Sequence, residues 1–340
     1  MVTKPVKFGI ISYGHYFRTN FVVHLAKCPA VEIVGVYNRG EERRLQARQD
    51  GYFSTGNLDE LLSLPGLEAV AIGSSNAAHK EQVLAAAKAG KHVLCEKPLA
   101  LELADVDEMV AAAEQKGLVT HVNHGGPYMD RFIRFKSLME EHIGKVYHCW
   151  LRSSRMFGLW SQGARHVAVA NPKESGGWTF HHLCHALDEA CVLLGTSEAE
   201  KVYHVNQKSC PEAPSEEIIN SLIHFRNGTT ALLTDGTSVG GFGDFGVQGE
   251  GGDMRLLGDR ITLVRPGPLD PTERPGNRGH VIDEFDVPAG DKMIETVGAK
   301  FVQAVRGGKN ELLSFRFVSN QYRILNAMRK SAETGQAVSL

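Results

Sequence analysis

The first third of the chain alternates short apolar runs with helical patterns, and this alternation limits the fold more than any other feature of the sequence. The predicted strands share an apolar, β-branched composition: Val6–Ile11, Val31–Tyr37, Ala69–Ile72, His92–Cys95 and Val119–Val122. The segments between them show helical periodicity: Arg18–Lys27, Glu41–Gln49, Leu58–Leu64, Lys80–Ala89 and Leu103–Lys116. Because parallel strands need a crossover connection, this order predicts an α/β fold with a doubly wound parallel sheet.

The second half differs, since its predicted strands are longer and alternate in polarity: Val146–Arg152, Ala199–Asn206, Ile218–Phe225, Thr229–Thr237, Phe245–Gly249 and Arg255–Leu257. Asn227-Gly228 lies between two of them and is typical of a β-hairpin. We therefore expect an α+β domain with a large open, mainly antiparallel sheet. Helices are predicted at Thr179–Leu194, Lys292–Arg306 and Phe315–Thr334, and the Pro/Gly-rich segment Arg265–His280 is predicted to be a surface excursion.

Length and composition narrow the class of protein. A chain of 340 residues is too long for one ordinary core, so we predict two domains, residues 1–123 and residues 124–340. A net charge of −2 without a Lys/Arg cluster gives no support for a nucleic-acid partner. No apolar run reaches the roughly 18 residues that span a membrane. The six cysteines are scattered without a CxxC pair, which favours free thiols in a cytoplasmic protein.

The segment between the first strand and the first helix lies where a Rossmann domain binds a pyrophosphate. Set on the pattern G-x-G-x-x-G, the three glycine positions are Ser12, Gly14 and Phe17, so only the middle glycine is present. The candidate cofactor contacts in this loop are Ser12, Tyr13, Gly14 and His15, with backbone N–H groups and the helix dipole facing the phosphates. The alternative is an ordinary strand–turn–helix connection that binds no ligand.

The end of the second strand bears on the type of dinucleotide. An acidic residue there would accept hydrogen bonds from the ribose 2′-hydroxyl, but this chain has Asn38 followed by Arg39. A guanidinium can pair with a 2′-phosphate, which favours NADP over NAD. Arg39 can equally be a solvated turn residue.

A longer string carries a resemblance to a known family. Residues 89–100 read AGKHVLCEKPLA, Ser74–His79 reads SSNAAH, and Ile143–Val146 reads IGKV. Gly176-Gly177 is followed by His185 and Asp188, and residues 331–335 read SAETG. In these motifs the chain resembles the glucose–fructose oxidoreductase / inositol dehydrogenase (Gfo/Idh/MocA) family over essentially its whole length.

The resemblance implies a nicotinamide dinucleotide on the N-terminal domain and hydride transfer to or from a secondary alcohol of a sugar, inositol or glycoside. It implies that Lys97 holds the hydroxyl oxygen and that His185 is the acid/base, which suits imidazole chemistry near neutral pH. Pro98 cannot donate a ladder hydrogen bond, so the strand ends there and Lys97 projects at its carboxyl edge. Further cofactor contacts implied by the motifs are Ser74, Ser75, Asn76, His79, Glu96, Lys97 and His124.

Two departures from the family pattern concern the substrate. The family often has an Asp four residues before the catalytic His, and here His181 occupies that position. Helical spacing places His181, His185 and Asp188 on one face, so His181 either assists catalysis or, with His185, binds a divalent metal. After the last strand of the first domain comes Asn123-His124-Gly125-Gly126-Pro127 instead of an Arg-containing segment. The substrate candidates are Tyr128, Arg155, Trp160 and His182.

Three hypotheses about function follow. The first is a dehydrogenase or reductase that acts on a sugar or polyol. The second is a glycoside-modifying or glycoside-cleaving enzyme that holds NAD tightly and oxidises the sugar transiently. The third is a cofactor sensor without catalysis, which the intact Lys97 and His185 disfavour. The open sheet and the family resemblance predict a homodimer or homotetramer.

Overall fold

The computed structural model describes residues 4–238, 240–268, 280–287 and 292–340. The chain forms two units, the first made of residues up to Tyr128 together with 292–319, and the second of residues 129–291 together with 320–340. The return of residues 292–319 to the first unit was not predicted, because a helical pattern shows an apolar face but not the core against which it packs. The domain boundary between residues 123 and 124 stays a prediction.

The first unit is built on a six-stranded parallel sheet in the order β3-β2-β1-β4-β5-β6. Its strands are β1 Val6–Ile11, β2 Val31–Tyr37, β3 Ser54–Thr55, β4 Ala69–Ile72, β5 His92–Cys95 and β6 Thr120–Val122. All four residues of the central strand β4 are buried, as expected for a sheet covered on both faces. The strand order is that of a Rossmann domain, which confirms the predicted fold class.

The helices confirm most of the predicted positions. In chain order they are α1 (His15–Phe17, Arg18–Val22 and Val23–Leu25), α2 Glu41–Gln49, α3 Leu58–Leu62, α4 Asn76–Lys88, α5 Leu103–Gln115, α6 Asp130–His142, α7 (Thr179–Leu183 and Cys184–Leu194), α8 Met293–Val305 and α9 Phe315–Thr334. The helix α6 was not predicted. Two short helical turns lie at Val167–Ala170 and Pro172–Ser175.

Two helices contain a π-helical turn, which periodicity arguments do not anticipate. In α1 the turn is Arg18–Val22, and in α7 it is Thr179–Leu183. The first helix was predicted at Arg18–Lys27, but it begins at His15, because Gly14 already has the extended conformation of an N-cap. A π turn widens the helix locally and is often found at functional sites.

The second unit contains a nine-stranded sheet in the order β14-β13-β12-β11-β7-β10-β9-β8-β15. Its strands are β7 Val146–Ser154, β8 Ala199–Gln207, β9 Ile218–Phe225, β10 Thr230–Gly236, β11 Phe242–Gly249, β12 Gly252–Leu257, β13 Arg260–Pro266, β14 His280–Asp286 and β15 Val338–Ser339. The pair β7 and β10 is parallel and the other pairs are antiparallel, which confirms the predicted sheet.

The predicted excursion Arg265–His280 is only partly described. Arg265 and Pro266 close strand β13, and His280 opens β14. Arg265 pairs with Asp283 on the neighbouring strand, so the predicted surface segment begins inside the sheet. Residues 269–279 lie outside the described part of the chain.

One face of the second sheet packs on α7, which contacts β7 and β10. The burial of β9 alternates residue by residue, so one side of this strand faces the core and the other is exposed. The exposed side of the sheet carries Tyr203, Leu222 and Leu232. Among the helices in the described part of the chain, none combines the length and hydropathy of a membrane span.

Candidate active site

The predicted cofactor residues of the first unit meet at the carboxyl ends of the parallel strands. The residues that follow the strand ends are Ser12 after β1, Asn38 after β2, Ser74 after β4, Glu96 after β5 and Asn123 after β6. In an open parallel sheet these ends share one edge, and the order reverses between β1 and β4. Ligands of doubly wound folds bind at this reversal.

Ser12 adopts the backbone conformation that a glycine normally provides. Its φ is 77°, in the left-handed region, and within the described residues it is the only residue other than glycine with a positive φ. A left-handed L-residue costs roughly 1–2 kcal/mol. Ser12 therefore keeps the tight turn of the first fingerprint glycine at the expense of local strain, a feature that clusters at ligand sites.

Gly14 leaves open space beside the start of α1, but its backbone conformation does not require a glycine. Its φ of −61° suits any residue, and a Cβ built on it would meet no atom within 4 Å. The protein itself thus does not require glycine at this position. As the N-cap of α1, Gly14 also has no side chain to satisfy the first helical N–H groups. Free space beside uncapped N–H donors fits a pyrophosphate.

Phe17 occupies the position of the third fingerprint glycine, and Gly73 on the neighbouring strand end provides the space that this glycine would provide. Phe17 is only 3% exposed, and its ring stacks on Phe21 with a centroid separation of 4.7 Å. A Cβ on Gly73, which follows β4, would lie 2.1 Å from Cγ of Phe17. The close approach of helix and strand is therefore preserved, but the glycine that permits it lies on the strand side.

Tyr13 and His15 differ in what they can offer to a cofactor. The Tyr13 hydroxyl is buried and donates to Oδ2 of Asp50 at 2.8 Å, and burial together with that carboxylate raises the pKa of the phenol. Its side chain is thus committed to the protein, which leaves its backbone for the predicted contact. His15 is exposed at the first position of α1.

A cavity of about 250 Å³ lies at the edge of the first sheet and gathers several of the predicted cofactor residues. It is lined by Ser12, Tyr37, Asn38, Arg39, Ser74, Ser75 and Gln82. Tyr37 and Gln82 were not predicted. The Ser74 hydroxyl donates to Oε1 of Gln82 at 2.7 Å, which ties the loop after β4 to α4.

The loop after β2 is held so that Arg39 remains available. Nη1 of Arg44 donates to the carbonyl oxygens of Asn38 and Arg39 at 2.9 and 2.7 Å. Oδ1 of Asn38 accepts a hydrogen bond from the Gly40 N–H at 3.0 Å. Arg39 is exposed, and its guanidinium has no hydrogen bond or ion pair within the described residues. A rigid backbone with a solvated cation fits binding of a phosphate at the cavity rim.

The segment Glu96-Lys97-Pro98 is anchored by its own carboxylate. Oε1 of Glu96 accepts from Nδ2 of Asn123 at 2.7 Å, and Oε2 accepts from the Lys97 N–H at 3.2 Å. Burial raises the pKa of Glu96, while Asn123 and Lys97 lower it. His124 is 1% exposed, and burial and the Lys97 charge lower the pKa of its imidazole. The peptide between Lys97 and Pro98 is cis.

His79 connects this segment to the loop after β4. Its Nδ1 lies 3.1 Å from the Pro98 carbonyl oxygen and 3.2 Å from that of Leu99, and its Nε2 lies 3.1 Å from the Ser74 carbonyl oxygen. The ring is completely buried, and burial lowers its pKa despite these carbonyls. His79 therefore fixes two loops relative to each other. Asn76, which was predicted beside it, begins α4.

In the second unit His185 lines a cavity of about 230 Å³. The cavity is rich in charge, with three arginines, two aspartates and one glutamate: Arg131, Arg152, Arg155, Asp235, Asp244 and Glu189. Arg155, a predicted substrate residue, has its Nη2 3.6 Å from Oδ2 of Asp235. Such a cavity can bind hydroxyl groups and move protons.

His181 and His182 belong to a cluster of rings and not to a simple helical face. His182 lies 4.3 Å from Trp178 and 5.0 Å from His166, between ring centroids, and His181 lies 4.8 Å from His182. Phe157 stacks on His166 at 4.1 Å. His181 and His185 would share one face with regular α-helical spacing, and the π turn at Thr179–Leu183 breaks that spacing.

The remaining substrate candidates have separate surroundings. The backbone N–H of Trp160 donates to Oε1 of the buried Glu217 at 2.6 Å, and the Arg165 guanidinium lies 3.8 Å from the centroid of the Trp160 ring. The Tyr128 hydroxyl accepts from the Leu313 N–H at 2.9 Å and donates to the Glu311 carbonyl at 3.2 Å. Tyr128 is therefore a packing residue of the first unit, and its substrate role stays a prediction.

Within the described residues, no group of three or more His, Cys, Asp or Glu side chains has the arrangement of a metal site. Glu189 and Asp235 were missed by the sequence reasoning. Glu189 had a usable signal, since it lies four residues after His185 on the α-helical part of α7. Asp235 had none, because its approach to Arg155 depends on the pairing of distant strands.

Comparisons with known proteins agree with this architecture. Residues 6–124 match the model of an oxidoreductase family with an NAD-binding Rossmann fold, and residues 136–340 match the C-terminal alpha/beta domain of that family. A 1,5-anhydro-D-fructose reductase from Ensifer adhaerens is 28% identical over 98% of both chains. A 2,7-anhydro-N-acetylneuraminate hydratase from Mediterraneibacter gnavus is 31% identical over 56% of this chain and 50% of its own length.

The fold is also found in solved structures. An oxidoreductase from Agrobacterium radiobacter, solved in complex with NAD+, L-tartaric acid and magnesium, superposes with a TM-score of 0.81. It is 20% identical and covers 99% of this chain and 98% of its own. With both halves matched, the chain belongs to the Gfo/Idh/MocA family of oxidoreductases with an NAD-binding Rossmann fold.

Proposed function

We propose that the protein transfers a hydride between a nicotinamide dinucleotide and a secondary alcohol or ketone of a sugar or polyol. The observation that carries this proposal is the placement of Lys97. It follows β5 at the carboxyl edge of the sheet, in a segment fixed by Glu96 and His79. Glu96 accepts from the Lys97 N–H, and the buried His79 binds the carbonyls of Pro98 and Leu99. A backbone fixed on both sides of one lysine indicates a group whose position matters for chemistry.

In this proposal the bound dinucleotide accepts or supplies the hydride, and the side chains handle the oxygen and its proton. Lys97 donates a hydrogen bond to the reacting oxygen and stabilises its negative charge. His185 removes the hydroxyl proton during oxidation and returns it during reduction. His181 and the neighbouring rings line the approach of the substrate, since aromatic faces suit the C–H surface of a sugar.

We propose further that the cofactor is NADP. Arg39 lines the cavity with Asn38, where an acidic residue would repel a 2′-phosphate, and its guanidinium is not engaged elsewhere in the described residues. An exposed charge pair contributes about 1 kcal/mol to the free energy of binding, and a guanidinium–phosphate pair contributes somewhat more. Arg39→Ala should therefore raise the Kd of NADPH about 5- to 10-fold and leave that of NADH unchanged. Arg43→Ala, on the following helix α2, is the matched control.

A second function is favoured by the hydratase relative. Its name describes addition of water to an anhydro sugar without net redox change. An enzyme of this type would co-purify with its dinucleotide and convert substrate without consuming added cofactor. Product analysis with and without added NAD(P) separates it from the dehydrogenase.

The direct test uses purified protein, each dinucleotide in both oxidation states, and a panel of inositols, sugars and 1,5-anhydro-D-fructose. Reduced nicotinamide is followed by absorbance. Turnover of at least one member with a stoichiometric change in cofactor supports the proposal. Conversion without a change in cofactor supports the second function, and no conversion of any member contradicts both.

The exposed face of the second sheet supports assembly into a homodimer or homotetramer. Tyr203, Leu222 and Leu232 are 44%, 50% and 40% exposed on neighbouring strands. Contiguous exposed apolar side chains on one face of a sheet are typical of association surfaces. The mass in solution, measured by light scattering, tests this, and Leu222→Glu should reduce it to that of one chain.

A further inference from the structure

The cavity beside His185 contains more charge than the roles assigned so far require. Part of that charge is structural. Asp244 accepts from Arg152 at 2.7 Å and from Arg255 at 2.9 Å, so its negative charge is fully compensated. These cations hold the pKa of Asp244 low against the effect of burial. The groups that remain are Glu189, Asp235 and two arginines.

Asp235 and Arg155 both line the cavity, and the hydrogen bonding of both side chains is incomplete among the described residues. Oδ1 of Asp235 accepts from Nε1 of Trp178 at 2.9 Å, but its Oδ2 and the Nε of Arg155 are buried without a hydrogen bond to any described residue. A volume of about 230 Å³ has room for several water molecules, since each occupies roughly 30 Å³ in the liquid. The cavity is therefore polar and large enough to conduct a proton.

Glu189 stands next to His185 within this space. The two residues are four apart in the α-helical part of α7, and both line the cavity. Side chains with this spacing are neighbours on one helical face, with Cβ atoms about 5–6 Å apart. Burial raises the pKa of Glu189 to about 7. A group with that pKa exchanges protons readily near neutral pH.

Charged groups on three other segments act on the pKa of Glu189. Arg131 at the start of α6 and Arg155 after β7 lower its pKa, and Asp235 on β10 raises it. On its own helix the titratable neighbours include His185, four residues earlier, and the buried Asp188 directly before it. The two guanidiniums allow the carboxylate to exist inside the protein, and burial together with Asp235 keeps it ready to take up a proton.

We propose that Glu189 is a positioning residue that acts through His185, by taking up across the cavity the proton that His185 removes from the substrate. This inference rests on the proposed function. During oxidation the C–H electron pair leaves as hydride to the nicotinamide, and the hydroxyl O–H bond breaks as an imidazole N–H bond forms. That N–H bond then breaks as a carboxyl O–H bond forms on Glu189, which releases the proton to solvent. Reduction follows the same steps in reverse.

The test measures kcat and KM against pH for oxidation of whichever inositol or sugar of the panel the wild type turns over. The wild-type kcat should rise with pH through about 7, as Glu189 ionises. Glu189→Gln should lose this rise of kcat with pH, called here the limb of the pH profile. It should also lower kcat roughly 10- to 100-fold with KM unchanged. Added imidazole, a small mobile base, should restore part of the Gln variant's rate, and Glu189→Asp should keep the limb.

Arg131→Gln is the second variant and does not alter the carboxyl itself. Because Arg131 lowers the pKa of Glu189, its loss should move the limb to higher pH. If Glu189→Gln folds, retains kcat and keeps the wild-type pH profile, the inference is overturned while the proposed function stands. An unmoved limb in Arg131→Gln overturns it as well. If the wild type turns over no member of the panel, the proposed function and the inference fall together.

Discussion

The side-chain amide of Asn123 donates a hydrogen bond from Nδ2 to Oε1 of Glu96 at 2.7 Å. This bond joins the end of β6 to the segment that carries Lys97, and the second carboxylate oxygen accepts from the Lys97 N–H at 3.2 Å. Burial raises the pKa of Glu96, and the Asn123 bond opposes that rise. Asn123 therefore helps to keep a charged carboxylate in place beneath the proposed catalytic lysine.

Replacing Asn123 with Leu should weaken the fold by roughly 1–3 kcal/mol at neutral pH, because Oε1 of Glu96 loses its donor. Loss of the bond raises the folded-state pKa of Glu96 further. The deficit relative to wild type should therefore shrink as the pH falls and Glu96 is protonated in both proteins. Urea unfolding at neutral and acidic pH measures this. Asn20→Leu, at an exposed position, is the control, and equal stability of Asn123→Leu and wild type at neutral pH would contradict the account.

Ser12→Gly should stabilise the free protein by about 1 kcal/mol, since glycine adopts a φ of 77° without the steric cost that serine bears. Ser12→Ala retains the strain and removes only the hydroxyl, so its unfolding free energy should stay near that of wild type. Thermal unfolding of the three proteins separates conformation from hydrogen bonding. A Gly variant that is no more stable than the Ala variant would show that Ser12 is not strained.

Gly73→Ala should lower the stability of the fold, whereas Gly14→Ala should weaken dinucleotide binding. The added methyl at Gly73 meets the Phe17 ring, so we expect a loss of about 1–3 kcal/mol or more. The methyl at Gly14 meets nothing, so stability should change by less than about 0.5 kcal/mol while the Kd of the dinucleotide rises at least 10-fold. Unfolding and fluorescence titration measure the two quantities. Unaltered cofactor binding in Gly14→Ala would count against the pyrophosphate site.

The strands of the first unit were the most predictable elements. The bounds of β1, β2, β4 and β5 agree with the predicted ones, because continuous apolar runs between turn residues leave little choice of register. The family motif around Lys97 directly follows β5, so the correct end of this strand also placed the motif at the carboxyl edge of the sheet. The residues within these elements were sufficient to predict them.

Other features depend on contacts between distant residues. Phe17 fits at a fingerprint glycine position because Gly73 lies against its ring, and no local pattern links these two positions. The π turn in α7 shifts His181 relative to His185, and residue spacing alone does not show it. The charge of the cavity around Glu189 arises from two helices and several strands that meet only after folding.

The most direct test of the account replaces Lys97 with Met, which keeps the length of the side chain and removes its charge. We expect kcat/KM to fall at least about 100-fold and the dinucleotide Kd to change by less than about 2-fold, since the lysine acts on the developing oxyanion. Lys116→Met, an exposed lysine at the end of α5, should match the wild type. Full turnover by Lys97→Met would contradict the central claim.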